Sequence, residues 1–227
     1  MKIYLFDIEG TTSDIHFVHQ VLFPYAYKNL EAFILNNQSN QVVQKVLSDT
    51  FETLSIEQSR SASLFEIISF LKFCVRCDRK YPPLKILQGL IWDVGYHHQE
   101  FKGHVYPDVL PFWKNIKDQG NEIAIYSSGS IQAQKLIFKF STLGDLTSYI
   151  KSYFDTTVGH KREPDSYKKI AQELKINPHD ITFFSDIREE LIAARLAGMQ
   201  TVEVRRDQIK ISEFKVIDSF ASWDNKY

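Results

Sequence analysis

From residue 105 to residue 217 the chain alternates between short β-favouring runs and segments with helical spacing, and few folds accept that alternation. Residues 122–126, 153–157, 181–184 and 200–204 read as strands, with a last short one at 214–217. Helical patterns fill the gaps at 107–119, 131–140, 164–174 and 189–197. Pro164 suits the first turn of its helix, and Gly198 suits the close of the last. Strands separated by helices are βαβ units, which build a parallel sheet. The opening run Ile3-Tyr4-Leu5-Phe6 stops at Asp7 and the turn-forming Gly10-Thr11-Thr12. It reads as one more buried strand, residues 2–6, of the same sheet.

Between that strand and the alternating part, residues 13–103 have no convincing strands. Helical spacing recurs at 21–33, 42–54 and 63–73, with a shorter segment at 84–92. Polar residues 36–40 and Pro82-Pro83 break the pattern. The expected organisation is therefore an α/β, parallel-sheet, Rossmann-like core of residues 1–14 and 104–227. A helical domain, residues 15–103, is inserted into it. A chain of 227 residues is long enough for both.

Composition excludes some partners. A net charge of −1 gives no basis for a nucleic-acid surface. The longest apolar run, near residues 64–75, is interrupted by Glu66 and Lys72 and does not read as a membrane span. The chain opens directly on a strand pattern, so a cytoplasmic location, or a nuclear one as well, is expected, as is a monomer. Cys74 and Cys77 form a C-x-x-C. His97 and His98 lack ligand spacing to them, so two reduced structural thiols are the expected reading.

The strand ends carry the chemistry. Asp7 and Glu9 follow the first strand, where they could hold a divalent cation, form a covalent intermediate or simply end the strand in a polar turn. Ser127 and Ser128 follow the second, ahead of a helix start whose free N–H groups suit an anion. Lys161 lies beyond the third, and Asp186, with Glu189 and Glu190, follows the fourth. In a parallel sheet these ends share one rim. A nucleophilic carboxylate, a phosphate cradle, a cation and metal-binding acids together are what phosphoryl transfer through an aspartyl-phosphate needs. A phosphate dianion facing Asp7 and Asp186 at about 4 Å would be opposed by about 16 kcal/mol at an effective dielectric of 20. Mg²⁺ and Lys161 would reverse that balance.

The order Asp7-x-Glu9-Gly10-Thr11, Ser127-Ser128-Gly129, Lys161, Ser185-Asp186 resembles the four motifs of the haloacid dehalogenase superfamily. Glu9 departs from the aspartate usual in its phosphatases. The stretches DIEGTT, LFPYA, GHVYPDVLP, IYSSGSIQAQKLIF, YFDTTVGHKRE and FFSDIREEL resemble one branch, the enolase-phosphatases of methionine salvage, where glutamate is normal. The likeness is weakest at residues 36–63 and after Arg206.

That resemblance implies Asp7 as nucleophile and Glu9 as the proton donor that later activates water. It implies Mg²⁺ on Asp7, Asp186 and the Glu9 main-chain carbonyl, with Glu190 orienting the water around the ion. Ser127 and Ser128 would hold the phosphate, and Lys161 would offset its charge. The implied substrate is the small phosphate ester 2,3-diketo-5-methylthiopentyl-1-phosphate, enolised and then dephosphorylated to an acireductone, with Glu9 as the expected enolisation base. The inserted helices would form a cap, with Trp92, Gly95 and Tyr96 as the residues to test. The rival readings are a capped phosphatase or phosphomutase for another small ester, and a phospho-accepting signalling module.

Overall fold

The computed structural model describes residues 1–58, 61–207 and 212–223. The chain divides into two compact units, residues 1–15 with 102–227, and residues 16–101.

Strand β1 (Ile3–Phe6) opens the sheet unit. The chain then turns through α1 (Ile15–Phe17) and a π-turn (Val18–Leu22) into the helical unit. This unit comprises α2 (Phe23–Asn36), α3 (Gln41–Gln58), α4 (Leu64–Arg76) and α5 (Pro82–His97). Ser63 and Glu66 form a reciprocal capping box at the start of α4, satisfying two otherwise orphan N–H groups. Helix α5 is longer than the expected segment at 84–92. Pro82 and Pro83 open it instead of breaking it, because the first helical positions need no N–H acceptor. Trp92, Gly95 and Tyr96 all serve packing within this unit. The Trp92 indole N–H donates to the Leu22 carbonyl at 2.8 Å, and Tyr96 is buried against Phe101. A Cβ at Gly95 would come within 2.7 Å of both Tyr25 and Phe101. Cys74 is buried and Cys77 exposed at the end of α4, with no disulfide between them.

The sheet unit continues through α6 (Val109–Asp118), β2 (Glu122–Tyr126), α7 (Ile131–Lys139), β3 (Ile150–Phe154), α8 (Pro164–Leu174), β4 (Ile181–Ser185), α9 (Arg188–Leu196), β5 (Gln200–Val204) and β6 (Lys215–Ile217). The strand order is β3-β2-β1-β4-β5-β6. Every pairing is parallel. The third strand lies earlier than the expected 153–157. The Asp155 carboxylate accepts from the Thr157 amide at 2.9 Å and hydroxyl at 2.6 Å, turning the chain where two β-branched threonines suggested extension.

β1 is buried on both faces, as a central parallel strand must be. Ile3 and Leu5 join Ala124, Ile181 and Phe183 against Tyr167, Ile170 and Leu191 of α8 and α9. On the other face, Phe6 stacks on Phe184 at 4.8 Å between centroids and meets Trp113 and Phe220. This two-sided core fixes the carboxyl ends of β1 and β4 side by side, with Phe6 in register with Phe184.

Candidate active site

The carboxyl ends of β1, β2 and β4, with the loop after β3, bring together Asp7, Glu9, Ser127, Lys161, Asp186 and Glu190. The strand order reverses direction at β1 and β4, the place where open α/β sheets bind ligands. Asp7 is buried, and its amide donates to the Phe184 carbonyl at 3.0 Å. The Thr12 hydroxyl donates to the Asp7 carbonyl, also at 3.0 Å. The backbone that carries the carboxylate is thus held from both neighbouring segments.

Lys161 is buried and reaches Asp7 Oδ1 at 2.5 Å and Glu190 Oε2 at 2.7 Å. Its own carbonyl accepts from the Tyr167 hydroxyl at 2.7 Å, so α8 anchors the loop that delivers it. Burial alone would lower the ammonium's pKa. Asp7 and Glu190 more than offset that, and hold it above its usual range. Glu190, expected beside a metal's water shell, is engaged by Lys161 and accepts from the Ser185 hydroxyl at 3.0 Å.

Ser127 is buried, and its hydroxyl donates to Glu9 Oε2 at 3.1 Å while accepting from the Gly129 amide at 3.0 Å. Its near neighbour is therefore the glutamate. Ser128 is exposed. The helix α7 that follows is capped by Ser130, whose side chain accepts from the Ala133 amide at 3.3 Å. Sequence reading did not single out Ser130, although a serine just ahead of an apolar helical run is the ordinary signal.

Asp186 is held by its amide, which donates to Thr11 Oγ1 at 3.1 Å. Its carboxyl lies hard against Gly10, where a Cβ would come within 2.6 Å of Cγ. Gly10 also has φ +76, the left-handed region that favours glycine. Asp186 Oδ1 is buried and has no hydrogen-bond partner among the described residues.

The carboxyls are electrostatically crowded. Burial, and then the charge of Asp7, push Asp186 and Glu190 each up to about 7. Burial and Asp7 likewise raise Glu9. Without a cation these carboxyls therefore bind more protons in the folded protein than in the unfolded chain between about pH 4 and pH 7, so their contribution to stability falls as pH rises through that window. Urea unfolding in chelator should give a higher midpoint at pH 5.5 than at pH 7.5. A midpoint that rises with pH in chelator would contradict the crowding.

Thr11 enters the sequence reading only as part of the first motif, and Asp108 and Arg206 enter it without a role. Arg206 follows β5, so its place at a fifth strand end was a signal. His97, His98 and His160 are exposed. No helix of the described residues is long and apolar enough to cross a membrane.

A model of the haloacid dehalogenase-like hydrolases matches residues 1–198. A protein of Sulfurihydrogenibium sp. (strain YO3AOP1) named Enolase-phosphatase E1 is 44% identical over 224 residues, covering 97% of this chain and 96% of its own. A protein of the same name from Erwinia tasmaniensis is 48% identical over 201 residues, covering 88% of this chain and 86% of its own. Among solved structures, the UTR4 protein of Saccharomyces cerevisiae superimposes with a TM-score of 0.81 at 31% identity, covering 98% of this chain and 99% of its own.

Proposed function

The chain belongs to the haloacid dehalogenase-like hydrolases, and within them to the enolase-phosphatases, and on that premise we propose the substrate and the role of each residue. The substrate is 2,3-diketo-5-methylthiopentyl-1-phosphate, converted to an acireductone in methionine salvage. The observation that carries the reading is the cluster of Asp7, Lys161 and Glu190, with Glu9 hydrogen-bonded to Ser127 beside it.

Mg²⁺ fits the residues present. Among the described residues no group of three His, Cys, Asp or Glu side chains is arranged to hold an ion unaided. The donors are instead the carboxylates of Asp7 and Asp186 and the main-chain carbonyl of Glu9. The unpartnered Asp186 Oδ1 and the crowding of acids both support a cation there. When bound, the ion would supply positive charge that offsets the negative charge of the phosphoryl group.

Glu9 as carboxylate takes a proton from the carbon that bears the phosphate, and the enolate oxygen takes one from solvent. Glu9 is then a neutral acid, a form its raised pKa favours. Asp7 attacks phosphorus, the bond from phosphorus to the ester oxygen breaks, and Glu9 returns its proton to that oxygen. Water, deprotonated by Glu9, then attacks the acyl phosphate, freeing inorganic phosphate and the Asp7 carboxylate, and Glu9 releases that proton to solvent. Ser127 orients Glu9 through these exchanges, and Ser128 binds the phosphate. Lys161 holds Asp7 Oδ1 in place and offsets phosphate charge.

Incubating the protein with the diketo phosphate and Mg²⁺ should release acireductone and inorganic phosphate together. A panel of sugar and glycolate phosphates should be hydrolysed far more slowly; equal turnover across the panel would refute the substrate assignment. Glu9→Gln should slow both half-reactions by about a hundredfold or more. Normal accumulation of the enol phosphate, seen by its ultraviolet absorbance, would show that another residue is the base.

A further inference from the structure

Arg206 sits where the chain leaves β5, outside the set of groups assigned above. Its Nε and Nη2 both donate to the Thr11 carbonyl, at 3.1 and 2.7 Å. Its Nη1 donates to Asp108 Oδ2 at 2.7 Å, and that oxygen also accepts from the Phe220 amide at 2.7 Å. The guanidinium lies 4.1 Å from the Tyr106 ring centroid and 4.9 Å from that of Phe220. Its side chain is 12% exposed and that of Asp108 16%. Each of its three nitrogens thus donates a hydrogen bond, and two aromatic rings limit its rotation.

The other end of this arrangement is the acid pair. Thr11 is fully buried, and its hydroxyl oxygen accepts from the Asp186 amide at 3.1 Å. Its neighbour Gly10 abuts the Asp186 carboxyl, and its neighbour Thr12 holds the Asp7 carbonyl. One residue's main chain is therefore grasped by Arg206 while its side chain and flanking residues touch both Asp7 and Asp186. A shift of the Thr11 carbonyl would move both acids relative to each other.

We propose that Arg206 is a positioning residue which, by clamping the Thr11 carbonyl, sets the spacing of Asp7 and Asp186 and thereby the affinity for a divalent cation. The inference rests on the reading of those two acids as cation ligands. Groups that orient ligands without touching the metal typically change affinity about ten- to a hundredfold when removed.

The test is calorimetric titration of Mg²⁺ into the metal-free protein, with no substrate present. Arg206→Ala should raise the dissociation constant about tenfold or more. Arg206→Lys should fall between it and the native protein, since one ammonium cannot reproduce the fork. Thr11→Val keeps the carbonyl and the shape but loses the acceptor for the Asp186 amide, and should weaken binding similarly. The double variant should be little worse than the worse single one, because both act through one element. In turnover, the Mg²⁺ concentration for half activity should rise while KM for the ester at saturating Mg²⁺ changes less.

A folded Arg206→Ala variant whose dissociation constant stays within about twofold of native would overturn the proposal, as would effects of the two substitutions that multiply. Should Arg206→Ala fail to fold, Arg206→Lys and Thr11→Val carry the same test. A native protein with no affinity for Mg²⁺ would overturn both this proposal and the cation reading; native affinity that Arg206→Ala leaves intact would overturn this proposal alone.

Discussion

Asp7→Asn is expected to lower phosphate release about a thousandfold or more while leaving the fold intact or firmer. The amide cannot form the covalent bond to phosphorus, so the route through the acyl phosphate closes. The amide oxygen can still accept from Lys161, whose ammonium stands 2.5 Å from the native Oδ1. The charge of Asp7 is one reason that Glu9, Asp186 and Glu190 bind protons so readily. Its removal relieves three repulsions at once. In chelator the variant should unfold at the same or a higher urea concentration than the native chain, and mass spectrometry after quenching should show no phosphorylated protein. Turnover near the native rate would exclude Asp7 as the nucleophile. A large drop in stability would show instead that its charge is structurally required.

Lys161→Met is expected to damage both stability and activity. It removes the cation that Asp7 and Glu190 share, at a position where the lysine side chain is 7% exposed. Losing one partner of a buried ion pair typically costs about 3–5 kcal/mol. In a chain of this size that is a fall of roughly 10 °C in Tm. Glu190, already raised to about 7, can take a proton in the variant, so the loss should be larger at pH 8 than at pH 6. Activity should fall at least a hundredfold, since Asp7 then loses the group that orients it. A loss of stability that does not grow with pH would mean the carboxylates find another partner.

Much of the fold was legible because parallel sheets leave regular traces. β2, α8 and β5 lie where their patterns placed them, since each is a buried run or an amphipathic helix with clear ends. β3 was displaced because side-chain capture by Asp155 outweighs the β-propensity of Thr156 and Thr157. The convergence of Asp7, Ser127 and Asp186 followed from topology alone, as strand ends in a parallel sheet must share a rim. What each side chain then touches did not follow. The pairing of Lys161 with Glu190, the turn of Ser127 toward Glu9 and the clamp of Arg206 on Thr11 are contacts between distant segments. They obey no periodicity, so spacing carries no record of them.

The place of β1 also bears on how the protein is made. This strand is translated ahead of both its neighbours, yet it pairs with β2 and β4, and its register is complete only when Phe184 has appeared. At about 5–20 residues per second, a ribosome needs on the order of ten seconds or more to supply that partner. Until β2 has appeared, Ile3, Tyr4, Leu5 and Phe6 are an apolar segment without a sheet to enter, and from then until β4 they form its open edge. The nascent chain must shelter one edge of its first strand until β4 has been synthesised.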